Sequence, residues 1–382
     1  VRLAFLSIGR HIHTERWIRW FARRGHECHL LTVQPGPIEG VAVHDITTEW
    51  GPKPLRYALS LGKVRRLLGR LRPDVLNTHF LTGYGYWGHF SGYHPNVLTV
   101  WGDDVYVTPF ENALKNWLAR RALGSCDALT GDSTDILLRA CALGASRDRA
   151  FRVLWGVDFE RFHPAPALAF RRGLGVGDEE LLFFSPRSFT RPYYNIDVII
   201  VAAAQVLALE PRARFVFAGY EGDPAPFVER ARAAGIGERS VFIGRVSHAE
   251  FPAALNAADV FMSVPSVDAT AVSLLEAMAC GRAIIVSDLP SATEWIRDGS
   301  SGLVVRPRDV EGLAAAMLRF AGDPGLRSAC GAQALETARR YAGFEDNLKA
   351  VDRIFQSCVG PDSDWPLDVA LTRLAPRGEA VA

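Results

Sequence analysis

Short runs rich in Val, Ile, Leu and Phe alternate along the chain with longer stretches in which apolar residues recur every three or four positions. The first kind predicts strands near 2–7, 27–33, 41–46, 74–78, 96–100, 127–130 and 150–154, and the second predicts helices at 13–24, 55–71, 111–124 and 132–142. The segment WGVDFERFHPAP, with Pro164 and Pro166, and the glycines at 173, 175 and 177 then interrupt the alternation and read as a linker. A second series follows, with strands near 181–186, 213–218, 240–243, 259–262, 283–286 and 302–305. Helices at 195–209, 225–235, 248–257, 271–280, 291–297 and 309–321 lie between and after them. Helices at 325–341 and 344–358 come next, and the proline-bearing stretch from Gly360 reads as an irregular tail. Strand–helix alternation of this kind argues for an α/β class of two Rossmann-like, doubly wound parallel sheets. Ligands of such sheets lie at the carboxyl ends of the strands, so an inter-domain cleft is expected. Dehydrogenases, sugar transferases, epimerases and periplasmic binders share that outline.

Composition narrows the field. The 382 residues carry 43 Lys and Arg against 42 Asp and Glu, with 48% hydrophobic residues, an ordinary globular balance that excludes disordered and fibrous classes. Residues 1–160 hold 20 basic and 15 acidic side chains, mildly basic and far from the dense stripe of a nucleic-acid binder. The six cysteines form no CxxC or CxxH pair and read as free thiols, without a zinc site. The N-terminal VRLAFLSIGR reads as a strand, and the apolar run Val198–Leu209 is too short to span a bilayer, so a cytoplasmic location is expected. Only residues 53, 63, 115 and 349 are lysines, so phosphate binding in the second half falls to arginine.

The densest chemical signal is PSVDATAVSLLEAMACG, residues 265–281. Small residues open a helix there, and a helix N-terminus with small residues around it suits a diphosphate. Asp268 and Glu276 straddle it, placed to accept hydrogen bonds from sugar hydroxyls. The alternative is that Asp268 caps the helix and Glu276 is a satisfied helix acid. This stretch resembles the E-x7-E signature of retaining family-4 glycosyltransferases of the GT-B fold. GRAIIVSDLPSATEWIRDGSSGLVV, LRPDVLNTHF, LWGVDFERFHP and VFIGRV resemble further segments of that family.

The resemblance implies a GT-B enzyme with an acceptor domain at 1–160, a nucleotide-sugar donor domain at 161–342, and a segment 343–382 whose helix returns to the first domain. It implies that Asp268 holds hydroxyls of the transferred sugar and that the backbone of Ala269, Thr270, Ala271, Val272 and Ser273 lines the sugar and diphosphate. Glu276 would take the ribose hydroxyls, Gly244, Arg245 and Val246 would frame the base, and Gly9 would admit the phosphate side. The reaction implied is transfer from a nucleotide sugar, UDP-linked in first preference, to an acceptor hydroxyl with retention and without a metal or other cofactor. The acceptor would be a sugar, a lipid-linked or a natural-product molecule.

Four departures from the family pattern stand out. The first acid is Asp268, one methylene shorter than Glu. The Arg…Lys-Gly phosphate clamp is replaced by SPRSFTRPYYNIDVII, where Arg187 matches the Arg and the Lys-Gly step gives way to Tyr193, Tyr194 and Asn195. Arg191 is the candidate second cation. The first loop has a single glycine, Gly9, followed by His11 and His13, and Trp101 stands where many members have His. A branch of the family with WG-[SD]-D and PR…YN segments is similar in these respects.

On the acceptor side the candidates are His11, His13, Trp101, Asp103 and Asp104, the two acids read as lying at a strand end. For the two acids the bland alternative is helix capping, and for the two histidines a plain place at a helix start. The aromatic run YGYWGHFSGYH is either acceptor surface or core, and the basic helix LRYALSLGKVRRLLGRLR is either a solvated face or a weak contact with the inner face of a membrane. The missing lysine and Trp101 also leave open a GT-B subunit without turnover, and a sugar phosphorylase or nucleotide-sugar epimerase shares the fold.

Overall fold

The apolar runs become thirteen parallel strands in a computed structural model, which describes residues 1–219, 221–360, 365, 366 and 368–370. The chain divides into two units: Val1–Trp155 with the segment from Glu345, and Gly156–Phe344. The break falls after Trp155 rather than after 160. Gly156, at φ +71°, packs so closely on Phe344 that a Cβ would stand 2.4 Å from the Phe344 Cα, and Val157 bridges to Gly343. The first residues of the expected linker are therefore already part of the second unit.

The first unit contains β1 (Arg2–Leu6), β2 (Glu27–Thr32), β3 (Val41–Asp45), β4 (Val75–His79), β5 (Asn96–Thr99), β6 (Ala128–Gly131) and β7 (Ala150–Arg152), in the order β3-β2-β1-β4-β5-β6-β7. The order reverses between β1 and β4, and such switch points open a crevice at the carboxyl ends of the strands. β4 is buried at all five positions, as a central parallel strand covered on both faces should be. The C-terminal helix Phe344–Val359 buries Leu348, Val351, Ile354 and Phe355, and the Phe355 ring lies 5.2 Å from that of Phe21. The tail is not free throughout. Trp365 stacks on Phe151 at 5.2 Å, and Ala370 bridges to the same residue, covering the edge strand β7. Residues 361–364, 367 and 371–382 lie outside the described residues.

The second unit contains β8 (Leu181–Pro186), β9 (Ala213–Ala218), β10 (Ser240–Ile243), β11 (Val260–Ser263), β12 (Ala283–Ser287) and β13 (Leu303–Val305), in the order β10-β9-β8-β11-β12-β13. Its switch point lies between β8 and β11. Phe183 and Phe215 are register partners with rings stacked at 5.4 Å, which fixes β8 on β9 through the core. The stretch Pro192–Leu209 is long and apolar enough to cross a membrane by length and composition, longer than the run read from the sequence. Seven of the residues in its helix Ile196–Leu209 are buried in the core of this unit, which accounts for its composition.

Candidate functional site

In the second unit, the strands flanking the switch point deliver the two charged groups of the site. Arg187 follows β8 and Asp268 follows β11. The Arg187 side chain, 9% exposed, donates from Nε to Ser263 Oγ at 3.0 Å and from Nη2 to the same oxygen. The same Nη2 donates to Asp268 Oδ2 at 2.8 Å. Its Cζ lies 5.0 Å from the centre of the Tyr194 ring, a cation–π contact. Leaving either partner alone in so buried a pair would be costly, so Arg187 and Asp268 hold each other in place. The Asp268 carbonyl is fixed separately, accepting from Ser291 Oγ at 2.8 Å.

Asp268 does not cap the helix that follows. The cap residue of helix Val272–Ala279 is Ala271, in extended backbone at φ −65° and ψ 120°, with no side-chain cap. A methyl group cannot accept a hydrogen bond, so the first turn lacks the usual side-chain acceptor. The N-terminal partial positive charge thus stays available for an anion. Ala269 and Thr270 are buried beside it. Glu276, 5% exposed, lies four residues inside this helix, about one turn from its start. Gly244, Arg245 and Val246 follow β10 at the same carboxyl edge, with Gly244 and Arg245 exposed. Arg191 is exposed at the head of the turn Pro192–Tyr194.

In the first unit, the carboxyl edge carries an aromatic cluster. Trp101, after β5, packs on His11 at 4.9 Å and on Trp155 at 4.7 Å, while His13 stacks on Trp155 at 5.1 Å and 24°. Trp17 meets His79, the last residue of β4, edge-on at 5.3 Å. His79 is fully buried, which drives its pKa down to about 3, so its ring is neutral at every working pH. Its Nε2 lies 2.7 Å from Asn77 Oδ1, which leaves Nδ1 as a buried acceptor without a partner. The indole N–H groups of Trp17 and Trp101 are likewise buried and unpartnered.

Two glycosyltransferase family models match the chain: "Glycosyl transferase 4-like" over residues 2–133 and "Glycosyl transferases group 1" over residues 169–337. The D-inositol 3-phosphate glycosyltransferase of Stackebrandtia nassauensis is 27% identical over 375 residues, covering 87% of this chain and 83% of that protein. Its counterpart in Kribbella flavida is 32% identical over 201 residues, covering 50% of this chain and 46% of that protein, less than half its length. The structure of Anabaena HepE in complex with UDP-glucose superposes with a TM-score of 0.81 at 14% identity, covering 93% of this chain and 99% of that one. The chain belongs to the family-4 glycosyltransferases of the GT-B fold.

Several expected roles change once this glycosyltransferase is seen in three dimensions. Gly9 is required by packing: a Cβ there would stand 2.5 Å from the Gln34 carbonyl oxygen, so close approach of the β2 loop accounts for the glycine. His11 caps helix Ile12–Arg23, its Nδ1 accepting from the His13 amide at 3.3 Å, which is the bland alternative weighed for it. Asp103 and Asp104 begin a short helix, Asp103–Tyr106, and do not lie at a strand end. Asp104 is fully buried and accepts from the amides of Leu81 and Gly102 at 2.7 Å each and from that of Trp101 at 3.1 Å. It pins the β5 loop to the β4 loop and cannot reach an acceptor. Among the described residues, no group of three or more His, Cys, Asp or Glu side chains is placed to hold a metal. The sequence reading missed Ser263, Ser291, Trp17 and Trp155, single residues far apart in the chain and without a local motif.

Burial raises the Asp104 pKa to about 6 despite its three amide donors. A carboxyl with a raised folded pKa binds a proton more readily in the folded state, so its contribution to stability is full below the unfolded pKa near 4 and is lost as pH rises through about 6. Stability measured against Asp104→Asn, which does not titrate, should therefore decline between pH 4 and pH 7. Denaturant titrations at both ends of that window check this, and a flat or rising difference contradicts it.

Proposed function

We propose that the enzyme transfers a sugar from a UDP-sugar to an acceptor hydroxyl with retention of configuration and without a metal ion. The observation that carries this reading is Arg187, held between Ser263 and Asp268 beside a helix N-terminus that has no side-chain cap. A diphosphate leaving group gains charge as the glycosidic bond breaks. In this reading Arg187 and the first-turn amides from Val272 neutralise that charge, with Arg191 reaching in as a second, exposed cation. Asp268 takes hydroxyls of the sugar, Ala269 to Ser273 line it, and Glu276 accepts from the ribose. Gly244, Arg245 and Val246 edge the base. In a front-face displacement, the acceptor oxygen bonds to the anomeric carbon as the bond to the leaving phosphate oxygen breaks. That oxygen then takes the acceptor's proton.

The test is UDP release from a panel of UDP-sugars in EDTA, with the released sugar's anomer read by NMR. Activity that survives EDTA with retained anomer supports the reading, and a strict need for Mn²⁺ or Mg²⁺, or an inverted anomer, contradicts it. In the same assay Glu276→Ala should weaken UDP binding about tenfold or more, since hydrogen bonds involving a charged group contribute roughly 1.5–3 kcal/mol. Wild-type UDP affinity in that variant removes the ribose assignment.

For the acceptor, the faces of Trp101, Trp155, His11 and His13 suit a sugar or cyclitol ring, and the named relatives act on inositol phosphate. Six free cysteines fit a reducing cytoplasm. A lipid-linked acceptor is favoured by the surface of the first unit. Phe110, Leu114 and Trp117 are 63%, 65% and 48% exposed at helical spacing and continue into Arg121, while Leu55 and Leu59 lead to Arg66 and Arg70 on helix Lys53–Leu71. Apolar residues leading into arginines suit an anionic lipid surface. The enzyme should sediment with anionic vesicles and not with zwitterionic ones. A Leu114→Ser/Trp117→Ser variant should lose that binding, and equal behaviour on both vesicles contradicts the contact.

A further inference from the structure

Asn195 stands near the place where the family pattern has a Lys-Gly step that is absent here. Its backbone is left-handed, at φ 54° and ψ 36°, a region that glycine enters freely and asparagine tolerates better than most residues. That accounts for the absent glycine but not for what the side chain does. Asn195 is the cap residue of helix Ile196–Leu209, yet its side chain makes no capping bond to that helix. Its carboxamide, with the residue fully buried, is spent elsewhere. Nδ2 donates to the Val264 carbonyl at 2.9 Å and to Ser266 Oγ at 2.8 Å. Oδ1 accepts from Arg308 Nη1 at 3.1 Å. The turn before it adds a backbone bond, the Ser266 amide donating to the Tyr193 carbonyl at 2.7 Å.

The residue type is thus determined twice. Glycine meets the backbone demand and has no carboxamide. Aspartate tolerates the conformation but has no N–H to give to Val264 and Ser266, and it would bury a charge. Arg308, after β13, is itself left-handed at φ 64°, and its Nη2 lies 3.6 Å from Asp197 Oδ2. Two non-glycine residues in this costly region are therefore bonded to each other, and such strain persists where surrounding structure over-determines it. What they hold is the stretch Val264–Ser266, two residues before Asp268. The far side of Asp268 is tied by Ser291, and its carboxylate by Arg187.

We infer that Asn195, oriented by Arg308, is a positioning residue that fixes the loop after β11 and so sets Asp268 against the transferred sugar. This rests on the donor-site reading above. A fully buried carboxamide bonded at both ends holds one loop conformation, and misplacing a reacting group by about 1 Å costs on the order of 10²-fold in rate.

The test is Asn195→Gly in the full chain, which keeps the left-handed backbone and removes only the clamp. With the UDP-sugar that the wild type turns over, kcat should fall on the order of 10²-fold, while UDP affinity stays within about threefold because Arg187 and Glu276 remain. Amide hydrogen exchange across 264–270 should become faster. Arg308→Ala should act in the same direction with smaller size, and the double variant should match Asn195→Gly alone, since both changes remove one network. Wild-type kcat in Asn195→Gly, a parallel loss of UDP affinity, or additive effects of the two changes would overturn the inference. If the wild type turns over no nucleotide sugar, the donor-site reading fails, whereas faster loop exchange in Asn195→Gly still supports the clamp and unchanged exchange refutes it.

Discussion

Arg187→Ala should lower kcat by about 10² to 10³, the cost of removing one preorganised donor aimed at developing charge. Three features make the effect large. The guanidinium is almost fully buried, so its charge acts in a low effective dielectric. It is held in position by Ser263, Asp268 and the Tyr194 ring, so little reorganisation is needed when charge develops. No lysine lies between Lys115 and Lys349, so no lysine ammonium in the second unit can take over. Arg187→Lys should recover only part of the rate, because one ammonium cannot bond Ser263 and Asp268 with a planar fork while meeting a phosphate. Arg191→Ala should cost less than Arg187→Ala, since Arg191 is exposed and its charge is screened. Steady-state kinetics of the three variants check this ranking, and a crippled Arg191→Ala beside a near-normal Arg187→Ala reverses it.

Asp268→Asn should separate turnover from nucleotide binding, lowering the first without weakening the second. The amide still accepts from Arg187, so the buried cation is not left alone and the fold should stand. The lost negative charge removes the anion that competes with a diphosphate for Arg187. UDP should therefore bind as tightly as to the wild type or more tightly. Transfer should fall by about 10²-fold, because the anionic acceptor for the sugar hydroxyls in the transition state is gone. Isothermal titration with UDP beside single-turnover transfer resolves the two effects. Weaker UDP binding in Asp268→Asn would mean that the carboxylate orders Arg187 more than it competes for it.

The strands and helices were legible because each unit follows one rule, a buried apolar strand and then an amphipathic helix. β8, LLFFSP, is an apolar run of the kind that central parallel strands require. The helix start before Glu276 was legible from its small residues. What did not show were contacts between loops distant in sequence. Asp104 looked like half of an exposed acidic pair because a four-residue helix has no periodicity to read, and its partners Leu81 and Gly102 come from different loops. Gly9 looked like a ligand-facing glycine because the close approach of Gln34 depends on the β2 loop. The tail looked irregular because its pairing with Phe151 spans more than half the chain.

The central claim is that the carboxyl edge of the second sheet holds a nucleoside diphosphate through Arg187 and the helix that starts at Val272. Calorimetric titration of UDP into the protein in EDTA, for the wild type and for Arg187→Ala, measures it directly. The account predicts metal-free binding by the wild type and binding at least about tenfold weaker in Arg187→Ala, the order expected for losing one charge-assisted hydrogen-bond partner. No UDP binding without metal, or equal affinity in the two proteins, would contradict it.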